Sequence, residues 1–165
     1  MAPDSLGVFT EFGVAIAGFS GIALAIAHRG GRLVGTARFR TIVLLTWALA
    51  PTFAATFPIL AQSLGAEDRE IWRFSSAAFA ALAGLVVLVP FRLRRALDDA
   101  ERAQLSPFVW SLAVSGNSVL ALLLAANAIG PASPAPIVVG LLWHLAVATL
   151  LFARLLLIGP AQEPE

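Results

Sequence analysis

The sequence predicts an all-α fold, an integral membrane bundle of five transmembrane helices in a single domain. Composition is the first reason: 59% of the 165 residues are hydrophobic and only 13% are charged, whereas roughly a quarter of a soluble domain is charged. Length is the second, because five apolar stretches can each cross a hydrocarbon core of about 30 Å, which takes about 20 helical residues. The third is the concentration of arginine in two of the four joints.

Helix-breaking residues delimit the five predicted spans. The pair Gly30-Gly31 follows the first span, Gly65 follows the second, Ser106-Pro107 opens the fourth, and a proline-rich turn separates the last two. The spans cover approximately residues 6–27, 41–64, 71–91, 107–129 and 137–158.

The distribution of arginine predicts the orientation. The joints at 28–40 and 92–106 each hold four arginines, whereas the second joint mixes arginine with acidic residues and the fourth has no charge. By the positive-inside rule the two arginine-rich joints are cytoplasmic, so we expect the N-terminus outside and the C-terminus inside. A cleaved signal peptide is disfavoured, because the residues before the first span include Asp4 but no basic residue. Glu11 also interrupts the apolar stretch.

The joint at 92–106 predicts a helical extension of the third span. The pairs Arg94–Asp98, Arg95–Asp99 and Asp98–Arg102 place opposite charges four residues apart on one helical face, and each pair contributes about 0.2–0.5 kcal/mol. A helix with charges spaced in this way is more typical of a solvated hairpin than of a docking site.

Composition also disfavours several functions. A net charge of +1 provides no concentrated basic face for nucleic acid. The lack of cysteine excludes disulfides, thiolate metal sites and nucleophilic thiols. His28 and His144 are predicted in opposite halves of the bilayer, so they cannot ligate one metal or haem, and no phosphate-binding glycine loop follows a strand. We expect no cofactor, no metal and no enzymatic activity, because an acid and a base alone make an incomplete site.

Glu11 is the first candidate for a functional residue, because an ionisable group within an apolar span is expensive and by default faces protein or water. A helical projection places it on the same side as a row of small residues spaced four apart. Such a row lets two helix backbones approach closely in lipid, either within one chain or between copies. The row consists of Gly13, Ala17, Gly21 and Ala25.

His144 is the second candidate. On the predicted topology His144 and Glu11 both lie in the outer half of the membrane, roughly 5–8 Å from the midplane. If the first and fifth spans are neighbours, the two side chains can share a proton as in proton relays. The alternative is a neutral histidine bonded to a hydroxyl or a backbone carbonyl, with a protonated glutamic acid.

Other polar residues lie on the second and fourth spans. A stripe of hydroxyls can replace lost hydration along a wet path, but hydroxyls in apolar helices also commonly bond their own i−4 carbonyls. Asn117 is harder to satisfy locally, because its amide has more donors and acceptors than one helix offers. The hydroxyl residues are Thr52 and Thr56, beside Pro51 and Pro58, and Ser111, Ser115 and Ser118.

The stretch from Glu11 to Ile22, EFGVAIAGFSGI, resembles the first helix of a group of small bacterial multi-pass membrane proteins, a resemblance that implies no particular activity. It is more loosely similar to the first helix of small multidrug resistance exporters, in which a glutamate binds substrate and protons. Glu11 stands at the matching position, although this chain has five predicted spans where those exporters have four.

We therefore expect a homo-oligomer in the bacterial inner membrane that lets an ion, proton or small polar solute permeate along a polar path in the outer half of the bundle. Glu11 would select charge or carry the proton, His144 would tune it, and Asn117 and the hydroxyls would supply hydration. The alternative is a non-transporting accessory or assembly subunit of a larger membrane complex, in which the small-residue row docks a membrane partner.

Overall fold

The computed structural model describes residues 6–27 and 35–158, and this part of the chain contains helices and no strands. The all-α prediction is confirmed for these residues. The helices are α1 (Gly7–Ala27), α2 (Gly35–Ser63), α3 (Asp68–Arg95), α4 (Asp99–Ala103), α5 (Pro107–Ile129) and α6 (Ala135–Ile158).

Four of these helices, α2, α3, α5 and α6, are long and apolar enough to cross a membrane, as expected of a multi-pass membrane protein. They correspond to the second to fifth predicted spans. Helix α1 has 21 residues, or about 31 Å at 1.5 Å per residue, but its apolar stretch with described side chains ends at Ala23. A fifth crossing by α1, and the orientation of the two termini, stay predictions.

Helix α2 lies at the centre of the arrangement. It packs along α1, α3 and α6, and α3 in turn packs along α5. Helix α1 contacts α2 and, less extensively, α6. The result is a bundle of α2, α3, α5 and α6 with α1 on its surface, and several large apolar side chains of α1 are exposed. They are Val8, Phe12, Val14, Phe19 and Ile22.

Two clusters of buried side chains fill the bundle. One includes Phe79, Leu124 and Leu141, from α3, α5 and α6. The other includes Trp47 and Val86, from α2 and α3. Between helices in lipid, the stabilisation comes mainly from close van der Waals contact, since the surrounding tails are as apolar as the side chains.

The fourth predicted span coincides with α5, because local sequence fixes both of its ends. Ser106 caps the first turn, its hydroxyl accepting from the N–H of Val109 at 3.4 Å, and Pro107 occupies the first helical position. Gly130 follows the last helical residue.

Helix α2 begins at Gly35, six residues before the predicted span, so the second half of the predicted 28–40 joint is helical. Residues 28–34 of that joint lie outside the described residues. Contacts with distant parts of the chain extend the helix into the arginine-rich segment. The ring of Phe39 lies 6.4 Å from that of Trp110, and the Thr36 hydroxyl donates to the Glu101 carbonyl at 3.5 Å.

Helix α3 extends past the predicted end of the span at residue 91, as expected, but by only four residues, so the prediction of a continuous helix through the 92–106 joint is wrong. Helix α3 ends at Arg95, and Asp98 caps the separate helix α4. The Asp98 carboxylate accepts from the Glu101 N–H at 2.8 Å, and the Glu101 carboxylate accepts from the Asp98 N–H at 3.0 Å. This capping box starts a new helix. None of the three predicted ion pairs forms within the described part of the chain, where Arg102 pairs instead with Asp99 at 3.1 Å.

The small-residue row of α1 has a packed half and an open half. A Cβ atom at Gly13 would clash with the Thr52 hydroxyl and lie 2.7 Å from the Ala48 carbonyl oxygen, so glycine is needed for this approach of α1 to α2. Ala17 packs against the cluster around Trp47. A Cβ atom at Gly21 would meet nothing within 4 Å. The side chain of Ala25 lies outside the described residues.

Gly13→Val should lower the thermal stability of the protein in detergent, because the new side chain pushes α1 away from α2. Overpacking of this kind typically costs about 1–3 kcal/mol. Gly21→Val is the matched control on the same helix, and we expect a change of at most about 0.5 kcal/mol. Equal losses at the two positions would show that α1 does not pack on α2 through Gly13.

Topology can be read from single cysteines, since the chain has none of its own. Glu67→Cys, between α2 and α3, and Ala2→Cys, ahead of α1, should react with a membrane-impermeant maleimide added outside intact cells. Ala100→Cys, in α4, should react only after permeabilisation. Labelling of positions 2 and 100 from the same side would mean that α1 does not cross the membrane. If position 100 reacts from outside intact cells and position 67 reacts only after permeabilisation, the orientation is the reverse of the predicted one.

Candidate functional site

A layer of polar side chains lies near the middle of the bundle. Asn117 of α5 and Trp143 and His144 of α6 form this central polar layer. Asn117 is one residue from the midpoint of the 23-residue α5, and His144 is within three residues of the midpoint of the 24-residue α6. Each of the three side chains has a buried polar atom without a hydrogen-bond partner among the described residues.

His144 is fully buried. Its ring lies between those of Trp47 and Phe79, at centroid distances of 5.1 and 5.3 Å. Its Nδ1 lies 2.9 Å from the carbonyl oxygen of Gly140, and because a carbonyl only accepts, this bond requires the proton on Nδ1. The neutral ring then presents Nε2 as an acceptor, which has no partner within residues 6–27 and 35–158.

Asn117 is also fully buried. Its side-chain nitrogen Nδ2 donates to the carbonyl oxygen of Ala83 at 2.6 Å. Its oxygen Oδ1 accepts no hydrogen bond in the described structure. Ala83 lies one helical turn after Phe79 on α3, so Asn117 and His144 contact α3 at adjacent turns. Two acceptors, one from an imidazole and one from an amide, therefore lie at neighbouring levels of the bundle without a partner among the described residues.

Two glycines allow the helices around this layer to approach closely. A Cβ atom at Gly140 would lie 2.7 Å from the Phe79 ring, and one at Gly116 would clash with the Trp143 indole. Trp143 therefore covers the position next to Asn117, with its Nε1 unpaired in the part of the chain that is described.

The unpaired atoms carry a cost that requires an explanation. A buried polar atom left without a hydrogen bond costs about 1–3 kcal/mol. Buried polar groups of this kind commonly meet ordered water, a ligand or a transferred proton. Polar residues at membrane depth are rare and usually mark a functional site. The central polar layer is therefore the candidate functional site of this protein.

Four of the five predicted hydroxyl residues face away from this layer. Thr56, Ser115 and Ser118 are exposed, and their hydroxyls donate to backbone carbonyls three or four residues earlier on their own helices, at 2.7, 2.7 and 2.8 Å. This is the local bonding expected of hydroxyls in apolar helices. Ser111 is exposed as well. Within one chain, these four residues do not line a common path with His144 and Asn117.

Glu11 is exposed on α1. Neither a salt bridge nor a hydrogen bond joins it to His144 in the described structure, so one chain alone does not form the predicted proton-sharing pair. Thr52 lies under Gly13, between α1 and α2, and its buried hydroxyl is unpaired among the described residues. The predicted site residues thus divide into a buried group, His144, Asn117 and Thr52, and an outward-facing group.

Sequence reasoning missed Asn127, a buried residue at the end of α5. Its Nδ2 donates to the Ser76 hydroxyl at 2.7 Å and to the Ser133 carbonyl at 2.9 Å, and its Oδ1 accepts from the Ser133 N–H at 3.0 Å. The Arg73 guanidinium donates to the neighbouring Ala128 carbonyl at 3.0 Å. These bonds hold the proline-rich turn between α5 and α6. The available signal was a helical asparagine directly before a turn that contains serine.

The described residues contain no group of three His, Cys, Asp or Glu side chains that could hold a metal ion. Comparison of the chain with protein-family models, curated proteins and solved structures gives no match. Its function must therefore be inferred from the site itself.

The two buried asparagines should respond to different extents to replacement by leucine, which has a similar shape. Asn127→Leu breaks bonds to Ser76 and Ser133 and leaves their polar groups unpaired, so we expect a loss of about 2–4 kcal/mol in unfolding free energy. Asn117→Leu also loses a bond, from Nδ2 to the Ala83 carbonyl, but it removes an oxygen that is unpaired among the described residues, so we expect a smaller change, within about 1 kcal/mol. Unfolding in detergent, followed by circular dichroism, measures both. A large loss at Asn117 would show that Oδ1 is paired in the native protein.

Proposed function

We propose that this protein is a small, oligomeric inner-membrane protein that mediates permeation of a proton, an ion or a small polar solute, with the central polar layer as its site. The observation that supports this proposal most directly is a pair of buried acceptors, Nε2 of His144 and Oδ1 of Asn117, that have no partner in the part of the chain that the structure describes. An acceptor at membrane depth can take up a proton or bind a hydrated cation, a role that an apolar side chain cannot fill.

In this proposal His144 is the proton-binding or cation-contacting group. Its Nδ1 is engaged by Gly140, which orients the ring and leaves Nε2 to react. Asn117 of α5 supplies a second acceptor, Oδ1, and its side chain contacts α3 one turn away from the contact that His144 makes. Because the rings of Trp47 and Phe79 cover the imidazole, access to Nε2 requires a movement of these rings or of α6. The site is therefore gated.

The outward-facing residues have a role in this proposal only where a second copy covers them. Within one chain, the exposed residues of this group are Glu11, Thr56, Ser111, Ser115 and Ser118. A path that uses them therefore runs between subunits. Glu11 would then select for positive charge at the subunit boundary.

The second candidate function is that of a non-transporting accessory subunit. The exposed face of α1 favours it, because a carboxylate lies there among large apolar side chains, Phe12 at 60% and Phe19 at 62% exposure. A carboxylate on a lipid-exposed face is expensive, and a partner helix that bonds it would remove that cost.

Proton flux into proteoliposomes tests the choice between the two functions. His144→Phe places a ring of similar shape between Trp47 and Phe79 that cannot hold a proton, so flux should fall at least about tenfold. Glu11→Gln, in a separate variant, tests the role at the subunit boundary. Thr149→Ala, on the same helix as His144, is the matched control, because its hydroxyl donates only to a carbonyl of its own helix, and it should keep the wild-type flux.

Wild-type flux in the His144→Phe protein would contradict the proposed site. A folded wild-type protein that passes neither protons nor common cations at either sign of voltage, and that copurifies with an unrelated membrane protein in fixed stoichiometry, would favour the accessory subunit.

A further inference from the structure

A cavity separate from the central polar layer opens near one end of the bundle. This is the basic end, at which α2 and α5 begin and α3 and α6 end. The cavity has a volume of about 100 Å³. Most of its walls are apolar side chains of these four helices, among them Phe39, Val43, Trp47, Val86 and Ala113.

The polar part of the wall carries positive charge. Arg40 of α2 and Arg154 of α6 line the cavity together with Gln104 and Ser106. Both arginines are partly buried. One nitrogen of Arg40, Nη2, donates to the Gln104 carbonyl at 3.0 Å, and its other guanidinium nitrogens make no hydrogen bond within the described residues. Ser106 caps the N-terminus of α5, whose dipole adds positive potential at the same place.

The nearby carboxylates do not neutralise this charge. Asp98, Asp99 and Glu101 belong to the capping box and helix α4, and none of them lines the cavity. Asp99 pairs with Arg102 at 3.1 Å. Within residues 6–27 and 35–158, no carboxylate lies within salt-bridge distance of Arg40 or Arg154. Two partly desolvated guanidinium groups beside an apolar cavity therefore lack a counter-anion in this part of the chain.

We propose that this cavity binds one anionic phospholipid from the surrounding leaflet. The phosphate lies between Arg40 and Arg154, because the planar guanidinium group suits bidentate bonding to phosphate oxygens. A segment of one acyl chain enters the apolar cavity. A cavity of about 150 Å³ in another protein holds a benzene molecule, so at about 100 Å³ this one takes in only a few methylene groups, while the rest of the lipid lies on the bundle surface.

This site is independent of the proposed permeation function, although the two share a wall. The Trp47 ring that lines the cavity also packs on His144 at 5.1 Å. A bound acyl chain therefore contacts a ring that closes the central polar layer.

Native mass spectrometry of the full-length protein in neutral detergent tests the proposal. Phosphatidylglycerol should bind with one saturable site, and phosphatidylcholine with the same acyl chains should bind at least about tenfold more weakly, because its headgroup has no net charge. The double variant Arg40→Gln/Arg154→Gln should reduce phosphatidylglycerol binding by a similar factor. Arg38→Gln/Arg92→Gln is the matched control, since both residues are exposed at the same end and neither lines the cavity.

A second variant tests the acyl chain independently of charge. Ala113→Leu fills the cavity and should weaken phosphatidylglycerol binding while leaving both arginines in place. Equal binding of the two lipids, equal losses in the two double variants, or unchanged binding in Ala113→Leu would overturn the proposal. Displacement of the lipid by millimolar glycerol phosphate or inorganic phosphate would identify a site for free phosphate and would overturn it as well.

Discussion

Polar side chains in membrane-spanning helices have no water to bond, and this constraint sorts the polar residues of the bundle into two kinds. Serine and threonine can bond a carbonyl of their own helix, as Ser115 and Ser118 do, and so can face outward at little cost. Asparagine and histidine have two polar atoms that one helix cannot satisfy. They lie inside, where Asn117 joins α5 to α3 and Asn127 joins α5 to the turn before α6.

Close helix contacts and the central polar layer depend on each other. Gly140 lets the Phe79 ring approach α6, and the same residue supplies the carbonyl that fixes the His144 ring. Gly116, next to Asn117, makes room for Trp143. The contacts that stabilise the bundle thus hold at its middle two acceptors that have no partner within residues 6–27 and 35–158. A fold selected for stability alone would place apolar side chains there, so the presence of His144 and Asn117 supports their proposed role in permeation.

Local signals made part of this structure predictable. Hydropathy located the four helices that can span a membrane, and Ser106-Pro107 fixed the start of α5 because capping is decided within one turn. The start of α2 was misplaced, since contacts of Thr36 and Phe39 with residues far along the chain extend it. The burial of Asn117 and His144 could be expected from their identity, because neither side chain is fully satisfied within one helix. Helical periodicity placed Glu11 on the small-residue face of the first span and the serines on one face of the fourth. It does not specify which neighbouring helix, if any, covers a given face.

The proposed function requires that Nε2 of His144, at the middle of the bundle, is an acceptor without a proton and that it can take one up. Nitrogen-15 NMR of labelled histidine in bilayers tests it most directly, in a His28→Asn variant that leaves His144 as the one histidine. At neutral pH we expect a protonated Nδ1 and a bare Nε2, and we expect Nε2 to gain a proton on acidification while the protein stays folded. A proton on Nε2 with Nδ1 bare, or an Nε2 that stays unprotonated at every pH at which the protein is folded, would contradict the claim.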